Sequence, residues 1–143
     1  MRKLFLTLAF FLICNLGFSQ NTIDPRLQEV LNQKSDAMID INIIFKSQIN
    51  HSKLRSRANT TLDKEVRRDM MVDELKLFSE EKQKDVLSIL QAETRGLQVT
   101  NIRTYWLSNA ISCTASRDVI YLLAKHPDIE IIGYDEWQRM IPE

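Results

Sequence analysis

Residues 101–137 read NIRTYWLSNAISCTASRDVIYLLAKHPDIEIIGYDEW, and the order of elements in this stretch decides the fold. Over residues 99–107, β-branched and aromatic side chains recur at strand spacing. Ser108 and Asn109 supply a tight turn, and a second strand covers residues 110–115. Ser116 then stands at a helix N-cap, and the helix runs to about Lys125. His126, Pro127 and Asp128 stop it, and residues 129–134 make a last strand.

Working outward, residues 37–46 (AMIDINIIFK) form another strand. Ile39, Ile41, Ile43 and Phe45 make one apolar face, opposite Asp40, Asn42, Ile44 and Lys46. A helical pattern enters at Thr60, Thr61, Leu62 and Asp63, a capping-box-like start with Asp for the usual Glu. It continues to Arg95, and Gly96 is expected to end it. Ser79, Glu80 and Glu81 could cap a second segment, so one bent helix and two helices both fit. Residues 47–60 read as a polar, mobile connector open to nicking, with Lys53, Arg55 and Arg57 as solvated charges. Asp24 and Pro25 start a short helix that carries Leu27, Val30 and Leu31 on one face.

From Ala37 the order is therefore strand, helix, strand, strand, helix, strand. This is the split βαβ, or ferredoxin-like, arrangement of an α+β protein. Its helices cover one face of an antiparallel sheet and leave the other open.

The start of the chain reads as a secretory signal over residues 1–19. Arg2 and Lys3 precede an apolar run over residues 4–13, too short to remain as a membrane span. Gly17 and Ser19 are small residues placed for a cut between Ser19 and Gln20. Ile13 before Cys14 argues against a lipoprotein site. The implied division is residues 1–19 signal peptide, 20–36 helical lead-in, 37–135 main domain and 136–143 C-terminal tail. The expected destination is secreted or periplasmic, with no membrane association after signal removal.

Removing 19 of 143 residues leaves 124, enough for one domain with one core. With Arg2 and Lys3 gone, 17 basic residues face 19 acidic ones, a formal charge of −2. Such a balance offers no electrostatic case for nucleic acid. Tyr105 and Trp106 lack the glycine-aromatic signature of an RNA-binding sheet, and a copper-chaperone reading lacks its cysteine pair. Cys113 is the one cysteine beyond the signal, so no internal disulfide forms there; its place in a strand predicts a buried, inert thiol.

No catalytic constellation stands out. His51 and His126 have no ligand partners at metal spacing, and no phosphate loop or nucleophile motif occurs. The expectation is a protein that is not an enzyme and needs no cofactor or metal.

The wording NIRTYWLSNAIS followed by VIYLLAKHPDIEII resembles the propeptide, or inhibitor family nine, domain of subtilisin-like serine proteases. The resemblance covers about residues 39–135. The Asp, His and Ser motifs of the protease itself do not occur in this chain. The resemblance implies a domain that binds a subtilisin-like protease, in cis within a longer precursor or in trans, as inhibitor and folding assistant. It also implies that the open sheet face docks on the enzyme while the tail after the last strand lies in the substrate cleft. By position that tail is Asp135, Glu136, Trp137, Gln138, Arg139, Met140 and Ile141. Pro142 departs from an easy strand.

Sequence alternation does not say which sheet face is open. Arg103, Tyr105 and Leu107 share one side, and Ile102, Thr104 and Trp106 the other. For the last strand the expectation is Ile129 and Ile131 inside, with Glu130, Ile132 and Tyr134 outward as docking residues. Asn109 is read as a turn residue. The alternative is a ferredoxin-like ligand-binding or assembly module with no protease partner, which needs a concave pocket with convergent polar groups.

Overall fold

Period-two alternation in β1 (Ile39–Phe45) builds the centre of the molecule, which the computed structural model describes over residues 22–33, 37–58 and 63–135. Ile39, Ile41, Ile43 and Phe45 are buried, while Asp40, Asn42 and Ile44 point the other way. β1 pairs antiparallel with β3 (Ala110–Ala115) on one side and β4 (Ile129–Tyr134) on the other. β2 (Val99–Tyr105) pairs antiparallel outside β3, so the strand order is β2-β3-β1-β4. Four helices complete the described residues: α1 (Pro25–Gln33), α2 (His51–Ala58), α3 (Lys64–Thr94) and α4 (Arg117–Leu123).

The core lies on one side of the sheet. Leu27 and Leu31 of α1, Val86 and Leu90 of α3, and Val119, Ile120 and Leu123 of α4 meet the isoleucine face of β1. Removing this apolar surface from water is the main favourable term, about 1.5–3 kcal/mol for each fully buried large side chain. The inner face continues onto β3 through Ile111, Cys113 and Ala115, which stand opposite Ile43, Ile41 and Ile39.

The segment before α1 does more than lead in. Asp24 N–H donates to the Ile132 carbonyl at 2.9 Å, and Ile132 N–H donates to the Thr22 carbonyl at 2.7 Å. Ile23 thereby pairs in parallel with β4 and covers that sheet edge.

Residues 51–58 form a helix where a connector was expected. The Asn50 side chain accepts from Lys53 N–H at 3.0 Å, an N-cap bond, and Leu54 is the buried anchor against α3. A single buried apolar residue in a polar stretch leaves too little periodicity to reveal a helix.

α3 is one continuous helix of 31 residues. Asp63 caps it, accepting from Glu65 N–H at 2.8 Å and Val66 N–H at 3.2 Å. Ser79 is not a second cap; it is buried in mid-helix and its hydroxyl donates to the Lys76 carbonyl at 2.9 Å. At the far end Leu97, not Gly96, takes the left-handed backbone, with φ 57. Gln98 N–H donates to the Glu93 carbonyl and Leu97 N–H to the Thr94 carbonyl, both at 3.1 Å. The closure is a Schellman pattern displaced one residue past the glycine.

Two irregularities reset which side chains face the core. Between Thr100 and Arg103 the β2–β3 register shifts, and Asn101 sits at φ 55. Thr100 and Arg103 consequently share the outer side, opposite Thr114 and Ser112. Between Ile44 and Phe45 the β1–β4 register also shifts, leaving Glu130 as the extra residue. Ile129 and Ile132 therefore both face inward. Ile131 stands opposite Ile44 on the outer side, and Tyr134 opposite the buried Ile41. This reverses the expected orientation of Ile131, Ile132 and Tyr134, while Glu130 is exposed as expected. β2 ends at Tyr105, and residues 106–109 form a four-residue turn. α4 ends at Leu123, before Lys125, through bonds from Lys125 and His126 N–H to the Leu122 and Leu123 carbonyls.

Candidate functional site

The outer face of the sheet carries no described helix. The buried side chains of α1, α3 and α4 meet the inner face, and α2 packs on α3. By register the outer face presents Asp40, Asn42 and Ile44 of β1, Ala110, Ser112 and Thr114 of β3, and Ile131 and Gly133 of β4. β2 adds Thr100, Arg103 and Tyr105 at the edge.

Side-chain hydrogen bonds hold this face in one arrangement. The Thr114 hydroxyl donates to Asp40 Oδ1 at 2.6 Å and accepts from Asn101 Nδ2 at 3.2 Å. The bulge that turns Asn101 out of the strand thus supplies the third member of this row. The Tyr105 hydroxyl shares a 3.3 Å hydrogen bond with the hydroxyl of Ser112, which is buried. Around these polar groups stand Met38, Ile44 and Tyr105, each about two-fifths exposed. A preorganised polar centre with apolar side chains beside it suits a flat protein surface better than a small molecule.

Among the tail residues, Asp135 is the last described. Its N–H donates to the Asp40 carbonyl at 2.9 Å, so the chain leaves the sheet beside the Asp40 end of β1. Glu136, Trp137, Gln138, Arg139, Met140 and Ile141 lie outside the described residues, as does the segment read as a signal. Of the sheet residues singled out from sequence, only Glu130 is exposed. Ile132 is fully buried, and Tyr134 is half-buried against the core. Ile44, Ile131 and Tyr105 take their place on the open side.

Gln83, which sequence reading passed over, and Asn109, read there only as a turn residue, position the hairpin. Gln83 of α3 is buried, and its Nε2 lies 3.1 Å from Asn109 Oδ1, 3.3 Å from the Tyr105 carbonyl and 3.4 Å from that of Ala110. Asn109 in turn donates to the Ser47 carbonyl at 2.8 Å while holding φ 43. Asn109 is thus both the left-handed turn residue and a buried link between three segments. A glutamine in the row Leu75, Ser79, Gln83, Val86 and Leu90 was the signal that could have found it.

A cleft of about 410 Å³ opens between α2 and α3. Gln48, Asn50, Lys53, Glu74 and Glu81 contribute its polar lining. Two of these are committed to the fold: Asn50 caps α2, and Gln48 Nε2 donates to the Phe45 carbonyl at 2.9 Å.

Cys113 lies on the inner face of β3. Burial, reinforced by the Asp40 carboxylate, pushes its thiol up to about 12. His51 begins α2, and His126 Nδ1 accepts from Asp128 N–H at 3.3 Å within the turn after α4. Among the described residues, no three His, Cys, Asp or Glu side chains are grouped to hold a metal ion. No helix among them is long and apolar enough to cross a membrane. No family model, curated protein or solved structure matches this chain.

Proposed function

We propose that this chain is an exported, non-catalytic, ferredoxin-like domain that binds a subtilisin-like serine protease through its outer sheet face and inhibits it or assists its folding. The observation that carries the reading is the outer face itself, covered by no described helix and hydrogen-bonded through Asp40, Thr114 and Asn101, with the chain departing beside it at Asp135. The order β1-α3-β2-β3-α4-β4, with the strands arranged β2-β3-β1-β4, supports the ferredoxin-like assignment. The resemblance of residues 101–134 to protease propeptides supports the partner. In this reading Ile44, Tyr105 and Ile131 supply the docking contacts. Residues 135–141 run extended into the substrate cleft, where main-chain hydrogen bonds give affinity.

The test is inhibition of a panel of subtilisin-like proteases by the chain lacking residues 1–19, beside the same chain truncated after Glu136. The untruncated chain inhibits saturably. The truncation and an Ile44→Glu variant inhibit less, with unchanged thermal melts. A folded chain that inhibits none of the panel, or a truncation that inhibits equally, overturns the mechanism.

One observation favours the ligand-module alternative: the cleft between α2 and α3 is concave and has polar lining. Its commitment of Asn50 and Gln48 to local structure ranks it second.

A further inference from the structure

α3 is longer than the sheet it packs on. Thirty-one residues span about 46 Å as a helix, whereas a seven-residue strand spans about 23 Å. The buried positions of α3 begin only at Leu75 and continue through Ser79, Gln83, Val86 and Leu90. Its first three turns therefore project past the end of the sheet. Yet the core-facing stripe does not stop at Leu75. It extends back through Val72, Met71 and Arg68 to Lys64 at the same three- and four-residue spacing.

Beneath this overhang lies a groove of about 420 Å³. Met71, Val72 and Leu75 form one wall, and Trp106 and Leu107 of the β2–β3 turn form the other. Leu107 is about two-thirds exposed and Trp106 over one-third. The Lys76 ammonium lies 5.9 Å from the centre of the Trp106 ring, a cation–π contact that steadies the indole. Lys64, Arg67 and Arg68 line the same groove, and among the described residues that line it none is acidic. Of the carboxylates of this part of the helix, Asp69 and Asp73 fall on the far side of the helical wheel, and Glu65 and Glu74 flank the stripe without lining the groove.

We infer that this groove is a docking site for an acidic, apolar-anchored peptide segment of a partner protein, whose large aliphatic side chains fill the space between α3 and Trp106 while its carboxylates meet Lys64, Arg67 and Arg68. Charge complementarity specifies the sign of the partner. The concave shape selects inserted side chains over a flat lipid surface. The site stands apart from the outer sheet face, so it holds or fails independently of the protease reading.

The test uses the chain lacking residues 1–19 and a fluorescent helical peptide with leucine at three- and four-residue spacing and glutamate between. A second peptide carries lysine in place of glutamate. The glutamate peptide gives a saturable rise in anisotropy that falls with added salt, and the lysine peptide gives none. Arg67→Glu combined with Arg68→Glu weakens the glutamate peptide about tenfold and gains the lysine peptide. Trp106→Ala weakens binding through the apolar wall, and both variants keep the parent melting temperature. Absence of binding, equal binding of the two peptides or indifference to the substitutions overturns the proposal. So does binding to phosphatidylglycerol vesicles without peptide binding, which would make the groove a membrane contact. Concentration-dependent self-association lost in the double variant would make the occupant a second copy and overturn it too.

Discussion

The Nε2 of Gln83 lies 3.1 Å from Oδ1 of Asn109, and this buried bond joins the long helix to the turn between β2 and β3. Asn109 passes the link on to the Ser47 carbonyl after β1. Replacing Gln83 with Leu keeps the size and apolar fit but strips donors from Asn109 and from two backbone carbonyls. Leaving buried acceptors unpaired costs about 1–3 kcal/mol. Urea denaturation of Gln83→Leu should show a loss in that range, and an unchanged midpoint would mean the bond contributes nothing.

The bulge at Glu130 makes a paired prediction for its neighbours. Ile132→Asp places a charge among the core residues and abolishes the cooperative unfolding transition. Ile131→Asp lies on the outer side, and its cost stays at about 1 kcal/mol. Circular dichroism melts of the two variants distinguish this register from simple alternation, which would put Ile131 inside and reverse their order.

The two helix ends respond in ways that residue type alone would not suggest. Leu97 is mostly exposed and holds a left-handed backbone, which costs a non-glycine residue about 1–2 kcal/mol. Leu97→Gly should therefore raise stability by about 0.5–1 kcal/mol, since its own flexibility in the unfolded chain offsets part of the relief. Ser116 occupies an N-cap, but its hydroxyl makes no cap bond and is buried without a hydrogen-bond partner among the described residues. Ser116→Ala should be neutral or slightly stabilising, where a bonded cap would lose about 1 kcal/mol. A clear loss of melting temperature in either variant contradicts these geometries.

Cys113 makes a prediction about pH. The folded thiol is raised from 9.0 to about 12, so between these values the folded chain holds a proton that the unfolded chain has released. Its contribution is complete below about pH 9 and is lost as pH rises towards 12. Stability of the parent should fall more steeply over that window than stability of Cys113→Ala, and parallel pH profiles would refute it. At neutral pH the native thiol should react slowly with a disulfide reagent and rapidly once the chain is unfolded.

Local signals named most of the elements. The isoleucine alternation in residues 39–45 identified β1 and its inner face, because a strand repeats every two residues whatever surrounds it. Asp24 with Pro25 marked the start of α1, because capping involves neighbours in sequence. The start of α3 was read a turn too early: Asp63, taken for the in-helix acid of a box opened at Thr60, is itself the N-cap. The strand-turn-strand-helix-strand order of residues 99–134 was readable for the same reason.

What the amino-acid sequence determined by itself was therefore the kind and order of the described elements other than α2, and the inner face of the central strand. Tertiary structure decided the faces of the outer strands, since the extra residues at Asn101 and Glu130 are set by register against β3 and β1. It also decided that α2 forms, because one buried Leu54 can anchor a helix only when α3 is there to receive it. Gln83 and Asn109 are 26 residues apart, and nothing local announces their bond. The groove beside Trp106 exists because a helix longer than its sheet leaves part of its apolar stripe uncovered, a mismatch that appears only when both are packed together.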